Sequence, residues 1–196
     1  NGVGGLVGYG NFANITNSYA TGNVNGTTNG VGGLVGYGWL ANIDNSYATG
    51  NVTGTTAIGG LVGYGLGAKI DNSYAIGNVK GTTNGVGGLV GYGNFANITN
   101  SYATGNVNGT TNVGGLVGYG ASATITNSYW NNLSSVNANS ASVCVGTGTF
   151  SGCTAVQNNQ AYFYNISNPP MNVWDFATIW DNIRNSEGVK SDTQAE

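Results

Sequence analysis

Gly4-Gly5-Leu6-Val7-Gly8-Tyr9-Gly10 is written five times in this chain, and its spacing decides the fold. The leucine of the heptapeptide returns at Leu34, Leu61, Leu89 and Leu116, in steps of 28, 27, 28 and 27 residues. Nine residues after each leucine stands an isoleucine (Ile15, Ile43, Ile70, Ile98, Ile125), followed after one variable residue by Asn-Ser-Tyr. A Gly-Asn-Val block closes the unit at Val24, Val52, Val79 and Val107, and residues 1–29 and 84–112 are identical throughout. A fixed period in the 20–50 range is the mark of stacked repeats, each too small to bury its own apolar face.

The five copies align the chain with itself, so variable positions mark solvent-facing sites. The residue after each fixed isoleucine is always polar (Thr16, Asp44, Asp71, Thr99, Thr126). Alternation at period two then predicts Ile15, Asn17 and Tyr19 on one side of a strand and Asn14, Thr16 and Ser18 on the other. Three strand candidates emerge per unit: Val3–Tyr9, Asn14–Ala20 and Asn23–Gly26, separated by Gly-rich or Asn/Thr-rich corners. The fold class expected is all-β, a parallel β-helix of about five coils, one unit per coil, with three faces and a C-terminal cap. Leu, Ile and Val form its internal ladders, and Asn17, Asn45, Asn72, Asn100 and Asn127 an inward amide ladder. Leu6 and Val7 cannot both face inward along a straight strand, so a bend is expected in the heptapeptide.

Composition narrows the function. Of 196 residues 36 are glycine and only 6% are charged, with 40% hydrophobic, which favours an ordered β structure over a solvated chain. The net charge is −3, and the four basic residues (Lys69, Lys80, Arg184, Lys190) are scattered, so no basic face for nucleic acid can be assembled. No apolar run is long enough for a membrane-spanning helix, so no membrane insertion is expected. Asn1 stands already in phase with the repeat, and the chain is expected to be part of a longer one. Histidine is absent, which removes His-based triads and H-E-x-x-H zinc sites. Cys144 and Cys153, in a Gly/Thr/Ser-rich stretch, are read as a disulfide loop rather than two free thiols, and this points to an oxidising setting.

The wording of the repeat, G-G-L-V-G-Y-G followed by I-x-N-S-Y-A-x-G-N-V, resembles the GLUG repeat of bacterial surface and secreted proteins. The resemblance covers residues 1–130, and Ser128-Tyr129-Trp130-Asn131 together with Trp174-Asp175-Phe176 looks like the way such arrays end. It implies a secreted β-solenoid, of the kind found in adhesins, secreted exoproteins and the non-catalytic region of immunoglobulin-A-cleaving metallopeptidases. The motif itself supplies no catalytic residue to carry over.

Two regions are therefore expected: a solenoid over 1–130 and a capping region over 131–196. In the latter Trp174, Phe176 and Trp180 would lid the last coil, covering strand edges that otherwise invite aggregation. Val173, Phe176, Ile179, Trp180 and Ile183 recur near helical spacing, while the resemblance favours strands, so helix and strand both stand open for 172–184.

Four features are candidates for chemistry or contact. Asp44 and Asp71 fall one repeat apart, a carboxylate pair that Lys69 is placed to neutralise; a solvated cluster is preferred over a calcium site or a hydrolase dyad. Two tyrosine columns, one from Tyr9 to Tyr119 and one from Tyr19 to Tyr129, are read as structure over sugar platforms. Asn-x-Ser/Thr sequons at Asn14, Asn25, Asn51, Asn97, Asn108, Asn132 and Asn165 are read mostly as by-products of an Asn/Thr-rich composition, with surface glycosylation the open alternative. The fourth feature is a ridge of Phe12, Trp39, Leu40, Leu66 and Phe95 at corner positions that the repeat leaves free; exposed apolar surface of this kind marks contact, the alternative being side chains folded over the coil edges as local packing. The expectation is a non-enzymatic extracellular stalk or adhesive surface without a cofactor. Its expected partners are other copies of itself, a longer parent chain, or a host or cell-surface glycan or protein. The rival readings are a self-assembling extracellular fibre and an accessory region of a secreted peptidase.

Overall fold

The computed structural model describes residues 2–131, 143–148, 150, 152–156, 167 and 172. The expected lid residues Trp174, Phe176 and Trp180, and the choice between helix and strand after Asn172, lie outside the described residues.

The described chain is a parallel β-solenoid in which each 27- or 28-residue unit makes one coil. The first coil lays down five short strands: β1 (Val3–Gly4), β2 (Val7–Tyr9), β3 (Asn14–Thr16), β4 (Tyr19–Ala20) and β5 (Val24–Asn25). Each is repeated one coil on, giving five parallel sheets, here faces A to E in chain order. Register is strict: Val3 pairs Val31, Val7 pairs Val35, Ile15 pairs Ile43, Tyr19 pairs Tyr47 and Val24 pairs Val52. The coil thus has five faces, not the three expected. Two of the anticipated strands are broken, the first at Gly5-Leu6 and the second at Asn17-Ser18.

The first break is the bend anticipated in the heptapeptide. It turns the chain so that Leu34 and Val35, and their equivalents in the next three coils, are all wholly buried. At the corner, Leu34 O accepts the backbone N–H of both Leu6 and Val7 at 3.0 Å. Faces A and B then run back to back with glycine against glycine. A Cβ on Gly32 of face A would lie 2.6 Å from Gly63 N and 2.8 Å from Leu61 O. One on Gly36 of face B would lie 2.7 Å from Gly8 O. Backbone fills the space a side chain would need, which is why these glycines recur without exception.

The second break sits at an asparagine. Asn17, Asn45, Asn72, Asn100 and Asn127 all have φ between +46° and +49°, the left-handed region that Asn tolerates better than other residues with a Cβ. That single residue reverses the alternation. Serine, not asparagine, therefore faces inward: Ser46, Ser73, Ser101 and Ser128 are buried. Ser73 N–H donates to Ser101 Oγ at 3.2 Å, and Ser101 Oγ–H donates to Thr99 O at 2.7 Å. The same pair of bonds repeats down the coils. The expected inward amide ladder is corrected accordingly; Asn72 and Asn100 are half-buried at the corner.

The core is one continuous column of Val, Leu, Ile and Ala. Full burial of an aliphatic side chain contributes about 1.5–3 kcal/mol, and every coil from the second to the fourth contributes several. The column does not stop at residue 130. Val145–Thr147 adds a sixth strand to face B, with Val117 opposite Val145, and Cys153–Val156 adds a sixth to face D, with Ser128 opposite Cys153. Trp130 takes the place of the alanines of face D and is buried. Its ring lies over Gly115, where earlier coils place a methyl group.

Candidate functional site

Between faces B and C each coil makes a tight four-residue turn. Ala13 N–H donates to Gly10 O at 3.2 Å, and the bond recurs at Ala41, Ala68, Ala96 and Ala123. The third residue of the turn has positive φ in four coils: Phe12 (56°), Leu40 (53°), Gly67 (64°) and Phe95 (59°). A turn of this form favours Gly or Asn at that position, and the third coil obeys with Gly67. The other three place large apolar side chains there, at a conformational cost of roughly 1–2 kcal/mol each. They recover little by burial, since Phe12 is 64%, Leu40 45% and Phe95 65% exposed.

Trp39 and Leu66 precede the positive-φ residue in their coils. Trp39 is 39% exposed and Leu66 half-buried. The structure brings the ridge residues onto one corner. The Phe12 and Trp39 ring centroids are 5.0 Å apart at 57°, and Leu40 covers the flat Gly67 of the coil above. The turns are tied together by backbone bonds from Phe12 N–H to Trp39 O and from Leu40 N–H to Leu66 O. Side-chain carbonyls reinforce them: Asn94 Oδ1 accepts Ser122 N–H at 2.9 Å.

The tyrosine columns flank this corner and the next. Tyr9, Tyr37, Tyr64, Tyr92 and Tyr119 stack with centroids 4.4–4.9 Å apart and planes within 12°. Ring faces are occupied by neighbouring rings, so inner members of the column offer an edge and a hydroxyl but no face for a sugar. The second column stacks with centroids 4.8–5.2 Å apart and planes within 9°. Burial there raises the Tyr102 and Tyr129 phenols well above their usual range.

On face C, Asp44 lies opposite Asp71 in register. Lys69 Nζ meets Asp71 Oδ2 at 2.9 Å, and Asp44 Oδ1 accepts Asn72 Nδ2–H at 3.0 Å. The hydrogen bond and charge of Asp71, with a smaller contribution from Asp44, raise the Lys69 ammonium above its usual pKa. The arrangement is that of a surface cluster in which Lys69 is paired with Asp71 while Asp44 is held by the amide of Asn72. Among the described residues no group of three or more His, Cys, Asp or Glu side chains could hold a metal ion. Nor is any helix among them long and apolar enough to cross a membrane.

Cys144 and Cys153 are joined in a disulfide, with Cα atoms 6.4 Å apart. It links the corner preceding the last strand of face B to the last strand of face D. Cys144 stands 28 residues after Leu116 and takes its place, its carbonyl accepting Leu116 N–H at 2.8 Å. Sequence reasoning missed this sixth coil because Cys144 and Thr147 replace the leucine and tyrosine. The surviving signal is Val145-Gly146, one period after Val117-Gly118.

A single-chain solenoid of in-register repeats, with structure carried by backbone ladders and its largest variation at one corner, defines the class. The GLUG motif matches the chain four times, at residues 1–25, 27–53, 54–80 and 82–108, and the chain belongs to that family. No curated protein and no solved structure matches it.

Proposed function

We propose that this chain is a non-catalytic, extracellular solenoid that holds the ridge of Phe12, Trp39, Leu40, Leu66 and Phe95 out for contact, as the adhesive and structural part of a bacterial surface or secreted protein. The observation that carries this reading is the choice of Phe and Leu at exposed, positive-φ turn positions where Gly67 shows that the repeat accepts glycine. A residue that strains the backbone without entering the core is retained for something outside the coil. The disulfide supports an oxidising location.

The test is attachment of beads coated with the chain to an epithelial monolayer and to mucin-coated glass, under flow. Replacing Phe12, Leu40 and Phe95 by Gly, with Trp39→Ala, should abolish attachment to at least one of these surfaces. The Phe95→Gly change alone should leave stability unchanged or raise it by up to about 1 kcal/mol. Undiminished attachment by the four-residue variant would end the ridge reading.

A second reading, end-to-end assembly into an extracellular fibre, draws on Leu6. It is 51% exposed, whereas Leu34, Leu61, Leu89 and Leu116 are wholly buried. A further coil, from the same chain or another copy, would bury it. Sedimentation velocity of the purified chain separates the two: fibres sediment as a broad fast boundary, a stalk as a single monomer boundary at every concentration.

A further inference from the structure

Both tyrosine columns stack ring on ring, but their surroundings differ. In the second, Tyr47, Tyr102 and Tyr129 are buried, Tyr74 is half-buried and only Tyr19, at the first coil, is exposed. In the first, Tyr37, Tyr64, Tyr92 and Tyr119 are half-exposed along one edge and Tyr9 is open. The closest pair of all is Tyr37–Tyr64, with centroids 4.4 Å apart and planes 5° from parallel. Burial, with the neighbouring Tyr37 and Tyr92 rings, raises the Tyr64 phenol. Identical orientation from coil to coil places each reactive ring carbon beside its counterpart. Holding two reactants in this way makes their coupling effectively unimolecular.

We propose that the Tyr9–Tyr119 column is a site of oxidative modification, at which a one-electron oxidant of the haem-peroxidase and hydrogen-peroxide class joins neighbouring tyrosines as dityrosine and so staples coil to coil. Each of two adjacent phenols gives up one proton and one electron. The two ring radicals join through the carbons ortho to oxygen, forming one carbon–carbon bond. The hydrogen on each of those carbons then moves to oxygen, restoring two phenols. Hydrogen peroxide takes up the two electrons and two protons and leaves as two waters. The rings must tilt out of the stack to bond, which the solvent-facing edge of this column allows and the burial of Tyr47, Tyr102 and Tyr129 in the other resists.

The experiment treats the full chain, at high dilution, with a haem peroxidase and hydrogen peroxide. The expected product is a monomer lighter by two hydrogens per link, with dityrosine fluorescence. Proteolysis should yield one peptide pair carrying Tyr37 joined to Tyr64, a pair whose flanking sequences, Trp39-Leu40 and Leu66-Gly67, occur once each. Tyr37→Phe with Tyr92→Phe leaves no two adjacent tyrosines in the column and keeps every ring stacked. It should lower the intrachain yield about tenfold or more. Tyr74→Phe with Tyr102→Phe, in the second column, should leave the yield as it was, with circular dichroism confirming that both variants fold. Dityrosine found only between chains would overturn the proposal, as would an unchanged yield in Tyr37→Phe/Tyr92→Phe.

Discussion

Glycine does unlike things at different places in the repeat, and only one of them is conformational. At Gly67 it relieves a positive-φ turn. At Gly63 it lets two sheets touch backbone to backbone: an added Cβ would lie 2.6 Å from Gly30 C and 2.7 Å from Gly36 O. Neither of those atoms can give way as a flexible side chain would. Gly63→Ala is therefore expected to destabilise by about 2–3 kcal/mol, the cost of overpacking a closed interior. A urea melt showing a loss under half a kcal/mol would mean that faces A and B are not in contact.

The ionisable residues are as telling by their scarcity. With no histidine and few carboxylates, stability is expected to be flat between about pH 5 and pH 9. Tyr102 and Tyr129 have phenols raised by burial. A raised phenol binds its proton more tightly in the folded chain than in the unfolded one. The stability this adds is complete below the unfolded value of about 10 and is lost as pH rises through the folded value. Lys69, raised by Asp71, acts in the same direction. Thermal melts should hold one midpoint across the neutral range and fall only above about pH 10; a midpoint dropping between pH 6 and 8 would contradict this.

At the scale of the strand, much was legible before any coordinates. Period, register and the buried set of Val, Ile and Leu follow from five copies aligned on one another, because a position that never varies in hydropathy has one environment. The number of faces was not legible. Asn17 bends the chain through its backbone φ, and hydropathy alternation carries no information about φ. The error then propagates: one left-handed residue shifts the parity, so Ser18 and its equivalents were assigned to the surface and Asn17 to the core. The ridge was found by variability alone. What variability could not show is the backbone strain at Phe12, Leu40 and Phe95, because it lies in φ. The strands at the end of the array make a further case. Val145–Thr147 and Cys153–Val156 pair with the fifth coil only, and the disulfide holds them as a unit. Cys144→Ser with Cys153→Ser should cost about 2–3 kcal/mol locally. Hydrogen exchange should quicken at Leu116, Val117 and Ser128, whose amides donate to Cys144 O and Gly152 O. It should be unchanged at Leu34 and Val52, because repeats couple to nearest neighbours. Equal acceleration along the whole array would show that the ends and the middle unfold as one.

For the whole molecule, a solenoid turns sequence period into length at a fixed rate. Equivalent residues lie one strand spacing apart per coil, so positions 27 or 28 residues apart in the chain are direct neighbours in space. Any function on the corner ridge inherits that ruler: Phe12 and Phe95, 83 residues apart, stand three coils or roughly 14 Å from each other. The most direct test uses face C, where register runs unbroken from Asn14 through Asn42, Lys69 and Asn97 to Thr124. Asn14 and Thr124 are both exposed and can carry spin labels on Asn14→Cys and Thr124→Cys, since the native cysteines are paired. Pulsed electron-spin resonance should give one narrow distribution centred near four strand spacings, about 19 Å, broadened only by the label arms. A distribution centred beyond about 30 Å, or spread without a maximum, is incompatible with coils at strand spacing and would contradict the solenoid.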